Sequence, residues 1–192
     1  MGNVCVAFEI LGPGMKAPPG WHKASGHLVF DVKMDFTRKA RWVKDGHKTP
    51  DSVTSSFAGV VSRDSIRIAL THAALLSLPV LGADICNAYL QAPSSEKHFI
   101  ICGPEFGIEN KGRTALIHRA LYGGKVAGCD FWHHLRDCMD QLGFNFSRAD
   151  PDIWLRLSKQ STGEEYYKYV LLYVDGAWKY CPVCSLSCIQ GR

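Results

Sequence analysis

No apolar run in this sequence approaches the roughly 20 residues that a membrane-spanning helix needs. The opening residues, MGNVCVAFEILG, lack a basic start and carry Glu9 inside their apolar stretch, so we expect no export signal. The chain begins Met-Gly, but Val6 stands where a myristoylation signal needs Ser or Thr, so we expect a plain N-terminus. There are no internal repeats and no low-complexity segments, which argues against stacked-repeat architectures. Without an export signal, the eight cysteines read as free thiols in a reducing compartment rather than as a disulfide framework. Cys181, Cys184 and Cys188 form a C-x2-C-x3-C run, but no fourth cysteine or histidine follows to close a zinc site. That end reads instead as a cysteine-rich tail.

The 192 residues suffice for a sizeable core, as one domain or as two lobes. A composition that is 46% hydrophobic and 21% charged is ordinary for a globular chain. The net charge of +4 is unevenly distributed. Between residues 22 and 48, Lys23, Lys33, Arg38, Lys39, Arg41, Lys44 and Lys48 face only Asp31, Asp35 and Asp45, which equals the excess of the whole chain. Trp42 and three histidines lie among them. Such a segment suits a phosphate-bearing partner, and it equally suits a solvated basic hairpin.

The pattern of elements is mixed. HLVFDVK (27–33) and RKARWVK (38–44) read as strands around a turn at Met34 to Thr37. Residues 62–79 read as a helix capped by Ser62 and stopped by Pro79, with Ile66, Ala69, Leu70, Ala73 and Leu76 on its buried face. VLGADI (80–85), HFIIC (98–102) and ALIH (115–118) are short strands. Residues 130–144 read as a second helix with Phe131, Leu135, Cys138, Met139 and Leu142 inward and Gly143 past its end. DIWLRL (152–157) and EYYKYVLLYVD (165–175) complete an α+β order.

Two apolar strands end on an acid, Asp84 after VLGA and Asp175 after VLLYV. Paired side by side they would place two carboxylates at one sheet edge, where repulsion persists unless a cation compensates it. Mg²⁺ fits oxygen ligands of that kind and shares its remaining positions with substrate phosphates. An acid that simply marks where a strand reaches water is the alternative.

Seven stretches, taken together and in order, resemble the reverse transcriptase domain of copia-type retrotransposon polyproteins: RKARWVKDGH (38–47), TSSFAGVVSRDSIRIAL (54–70), LGADICNAYLQAP (81–93), GPEFG (103–107), RALYGGK (119–125), LGFNFSRADPDIWLR (142–156) and YVLLYVD (169–175). The resemblance implies a fingers-and-palm fold, with an antiparallel palm sheet backed by helices. It implies an RNA-directed DNA polymerase that uses Mg²⁺ to join deoxynucleoside triphosphates to a primer on an RNA or DNA template. No membrane partner is implied, and other polyprotein domains are expected as neighbours.

The same resemblance gives Asp84 and Asp175 the catalytic, metal-holding role. It gives Tyr89 that of an aromatic gate against the sugar 2′-hydroxyl. Lys39 and Arg41 match the position that meets the triphosphate, and Gly124 and Lys125, after Gly123, match a segment beside the nucleotide. Asp150 and Pro151 match a turn to which we assign no chemistry. Where the family pattern has a second aspartate after Asp175, this chain has Gly176. We therefore expect a segment 1–20, a fingers and palm domain of two lobes over 21–175, and a tail over 176–192 foreign to the family, with no thumb. On that reading the chain extends a primer little or not at all.

Overall fold

The computed structural model describes residues 7–51, 55–159 and 163–173, together with the backbone of 176–180. In chain order its elements are β1 (Phe8–Ile10), β2 (His22–Lys23), β3 (Gly26–Val32), β4 (Arg38–Lys44), α1 (Arg63–Leu75), β5 (Val80–Asp84), α2 (Ala88–Gln91), β6 (Pro93–Ile101), β7 (Thr114–Arg119), α3 (Ala127–Gln141), β8 (Asn145–Phe146), β9 (Ile153–Lys159), β10 (Glu165–Tyr173) and β11 (Gly176–Tyr180). The chain is α+β, as its pattern implied. It forms two units, residues 1–58 with 87–135 and residues 59–86 with 136–192, and the boundary falls inside α3.

In the first unit a four-stranded sheet runs β1-β7-β6-β2, antiparallel except for the β2–β6 pair. Its core is Ala24, Ile100, Cys102, Ala115, Ile117 and Leu121, with Phe8, Trp42 and Phe106 packed on it. Phe8 meets Trp42 and Phe106 edge to face, with ring centroids 5.3 and 5.1 Å away. Because β1 pairs with β7, Phe8–Ile10 belong to this sheet rather than standing apart from the domain.

Strands β3 and β4 form a separate two-stranded ribbon. Period-two alternation sorts its residues. One face carries Val29, Asp31, Lys39 and Arg41, and the other carries Leu28, Phe30, Val32, Ala40 and Trp42. At the tip, Lys33 N donates to Thr37 O at 3.0 Å and Thr37 N donates to the Asp35 carboxylate at 3.0 Å. Phe36 sits there at φ 61° and is 87% exposed. A left-handed conformation costs an L-residue with a bulky side chain about 1 kcal/mol, and an exposed ring gains little packing in return. Phe36→Asn is therefore expected to raise stability by about 0.5–1 kcal/mol, read as a higher urea midpoint at constant slope. A lower midpoint would show that the ring supports the turn.

The second unit is built on the antiparallel sheet β5-β11-β10-β9-β8. Helix α1 packs on it through Ala69 and Ala73, against Val61 and Leu171. Ser62 caps α1 by accepting from Ser65 N at 3.1 Å, a contact worth about 1 kcal/mol. The buried face is narrower than its periodicity suggested. Leu70 and Leu76 are 41% and 57% exposed, because two alanines make the close approach and the helix ends at Leu75, ahead of Pro79.

At the other helix, Phe131 and Met139 are buried, whereas Leu142 is 39% exposed beyond the helix end. Gly143 has φ 75°, and the bonds Phe144 N to Met139 O and Gly143 N to Asp140 O close α3 as a Schellman turn. Trp154 is fully buried in β9. The Arg136 guanidinium sits 5.1 Å from its ring and 4.9 Å from that of Phe146.

Asp150 has a structural task. Its carboxylate accepts from Ser62 N at 2.9 Å and from Asp152 N at 3.1 Å. Burial pushes this carboxyl up, but hydrogen bonds from Ser65, Ser62 and Asp152 outweigh it and hold the group below the usual range.

Strand β11 corrects an expectation. Residues 176–180 do not leave the fold. They lie between β10 and β5, pairing Tyr173 with Gly176 on one side and Gly176 with Asp84 on the other. A central position lets a segment without an apolar run complete two ladders, a case of tertiary context overriding local propensity. Residues 181–192, with the three tail cysteines, lie outside the described residues.

Candidate functional site

The residues singled out in the sequence divide between the two units. In the first unit, Arg41 and Lys39 stand two residues apart on β4, so both side chains leave the same face. Arg41 is exposed, and Lys39 is half-buried with Asp31 as its cross-strand partner. The Arg41 guanidinium lies 5.2 Å from the ring centroid of Tyr122. Tyr122 in turn lies 4.8 Å from Tyr89, and Tyr89 lies 5.9 Å from Phe131. Arg41 and Tyr89 are thus joined through a third ring. The short helix α2, which the sequence pattern did not reveal, carries Tyr89 and is entered through Asn87 at φ 53°.

Close backbone approach fixes the segment that follows. Lys44 N donates to Tyr122 O at 2.8 Å, and Gly46 N donates to Gly123 O at 3.2 Å. Gly123 has φ 82°, and a Cβ there would collide with the carbonyl of Lys44, so only glycine suits the position. Gly124 N bonds Leu121 O at 3.0 Å. Lys125 is engaged within the protein: its ammonium donates to Thr49 O at 2.9 Å and to Asp51 Oδ1 at 2.8 Å. The paired ammonium holds the Asp51 carboxyl below its ordinary value.

Two clusters anchor the ribbon's base, and neither was legible in the sequence. Asp45 accepts from Lys48 at 2.9 Å and Ser25 at 2.8 Å, and His27 Nδ1 lies 2.9 Å away. The hydrogen bond from Lys48 leads in holding its carboxyl well below the usual range. Lys44 is 4% exposed and donates to Glu96 Oε2 at 2.7 Å and to His98 Nδ1 at 2.9 Å. Burial, then the charge of Lys44, push the His98 imidazole below its ordinary value.

In the second unit, Asp84 is exposed at the end of β5. The expectation that β5 and β10 are neighbours is not met. Strand β11 separates them, and the residue opposite Asp84 is Gly176. Asp175 lies outside the described residues. Among the described residues no group of three or more histidine, cysteine, aspartate or glutamate side chains could hold a metal ion. The donor chemistry at Asp84 suits a hard cation. Gly176 brings no side-chain oxygen to the opposite position, so the set is a ligand short of the family pattern.

The sequence pattern of the reverse transcriptase (RNA-dependent DNA polymerase) family matches residues 15–178. The chain belongs to that family. It is similar to the retrovirus-related Pol polyprotein from transposon RE1 of Arabidopsis thaliana, at 29% identity over 140 residues. It is also similar to that from transposon RE2 of the same plant, at 29% over 142 residues. Each match covers 71% of this chain and 9% of the relative. It is a copia-type reverse transcriptase domain, and its family match runs past Asp175 into β11. Among the described residues, no helix is long and apolar enough to cross a membrane.

Proposed function

We propose that this chain is an RNA-directed DNA polymerase domain that engages template-primer and deoxynucleoside triphosphates but transfers nucleotides poorly. The observation that carries the reading is the family match over residues 15–178. In this reading the β3–β4 ribbon is the fingers and the five-stranded antiparallel sheet is the palm.

Arg41 offers a planar pair of donors to phosphate oxygens, and Lys39 on the same face adds a point charge. The ring of Tyr89, backed by buried Phe131, gives the sugar edge a stiff wall that a 2′-hydroxyl would strike. Gly123 and Gly124 let the backbone come close to the nucleotide. Lys125 reaches it by exchanging Asp51 for a phosphate.

Asp84 and Asp175 would hold Mg²⁺, which supplies charge stabilisation at the transferred phosphoryl group. Gly176 leaves that set incomplete, and this favours a domain that binds without efficient chemistry. Other domains of a polyprotein are its expected neighbours, given how small a share of its relatives it covers.

Single-nucleotide extension of a labelled primer on an RNA template, with Mg²⁺, tests the chemistry, and retention of the same template-primer tests the binding. We expect little or no extension, together with binding that weakens steeply as salt rises. Robust Mg²⁺-dependent extension would overturn the view that Gly176 impairs the site. Absence of salt-sensitive binding would overturn the polymerase reading.

A further inference from the structure

We propose that Tyr122 is the positioning residue that couples phosphate binding to sugar selection, by holding Arg41 and Tyr89 in one stack. The proposal rests on the reading of this surface as a nucleotide site, and it assigns a role to a side chain whose sequence context gave none.

The geometry runs from a fixed end to a free one. Phe131, 3% exposed, is the anchor. Tyr89 meets it at 5.9 Å with the ring planes 69° apart, an edge-to-face contact. Tyr122 meets Tyr89 at 4.8 Å with planes 52° apart. Arg41 closes the row with its guanidinium 5.2 Å from the Tyr122 centroid. The Tyr122 backbone is held independently. Its carbonyl accepts from Lys44 N, three residues along the strand from Arg41, and the next residue is the left-handed Gly123. Ring and backbone are therefore both constrained, and Tyr122 is the one member of the row that touches both functional ends.

The physical consequence is a shared constraint. An exposed arginine on a strand samples many rotamers, and resting on a ring face restricts the guanidinium while leaving its donors free for a phosphate. A gate discriminates only if its ring does not yield, and Tyr89 is half-buried between two rings that stop it swinging. Removing Tyr122 loosens the phosphate anchor and the gate together. Removing Arg41 loosens only the anchor.

The test compares wild type with Tyr122→Phe, Tyr122→Leu and Arg41→Ala in the full chain. Two quantities are read: equilibrium affinity for dGTP and for GTP, and the NMR position of the Arg41 Nε proton, which a ring face displaces. Tyr122→Phe should match wild type in both. Tyr122→Leu keeps apolar volume, which guards against unfolding. It should weaken dGTP binding by about threefold, bring the dGTP and GTP affinities together, and return the Arg41 proton toward its free position. Arg41→Ala should weaken both nucleotides and preserve the preference. An unchanged preference in Tyr122→Leu, or an unmoved Arg41 proton, would overturn the proposal while leaving the nucleotide site standing. Failure of wild type to bind either nucleotide would overturn the nucleotide reading and, with it, the selective role. In that case the Arg41 proton would still report whether the stack exists.

Discussion

Lys44→Met is expected to destabilise the protein by about 3–5 kcal/mol, because it strands a carboxylate in a nearly dry site. The Lys44 ammonium lies 2.7 Å from Glu96, whose side chain is 8% exposed, and 2.9 Å from His98. Methionine fills the same volume but leaves the Glu96 charge, among the described residues, with only the His98 ring, 3.4 Å away. The double variant Lys44→Met with Glu96→Leu removes both charges and should recover most of the loss. Urea denaturation of the three proteins measures this. A single variant within about 1 kcal/mol of wild type would show that water already reaches the pair.

His98 adds a pH signature. Its imidazole is held below the ordinary 6.5, so as pH falls through 6.5 the unfolded chain takes up a proton that the folded one refuses. Stability from this group is therefore complete above 6.5 and declines below it. Lys44→Met removes one cause of the depression and leaves Glu96 to favour the imidazolium. The variant should thus lose less stability on mild acidification than wild type does. A steeper acid loss in the variant would show that the Lys44 charge is not what keeps the proton off His98.

What could be read from the sequence was what nearby residues decide. The ribbon strand Arg38–Lys44, the Ser62 cap and the Gly143 turn each depend on residues within one turn of each other, and each formed where its pattern placed it. The cationic face with Lys39 and Arg41 follows from alternation alone. The Lys44–Glu96–His98 cluster joins residues more than fifty positions apart, and no local pattern announces it. The same holds for Tyr122, which meets Arg41 and Tyr89 only once β4, α2 and the turn after β7 are assembled. Strand β11 was missed for a different reason. Its residues AWKY lack the apolar run of their neighbours, and the decisive fact is that two partner ladders exist on either side. Asp84 was legible as a strand-end carboxylate, but its register partner Gly176 was not, because an intervening strand cannot be inferred from the strands that flank it.

Gly176→Asp is expected to make the second unit cation-dependent, because a second carboxylate opposite Asp84 needs a compensating cation, but on its own it should not restore primer extension. Gly176 is the register partner of Asp84. Side chains directly opposite on antiparallel strands have Cβ atoms about 5 Å apart, so the new carboxylate would face Asp84 at a distance where like charges repel. Without a divalent cation the variant should therefore melt below wild type. With Mg²⁺ at about ten times its dissociation constant, binding should return about 1.4 kcal/mol. Wild type, with glycine at that position, should gain much less. Gly176→Asn is the control: it adds a side chain of the same shape without charge and should show neither the penalty nor the rescue. Adding Asp84→Asn to Gly176→Asp should remove the repulsion and the Mg²⁺ response together, since an amide keeps the geometry but not the charge. If Gly176→Asp melts at one temperature with and without Mg²⁺, the two positions do not share a cation, and Gly176 is not the reason to propose poor nucleotide transfer.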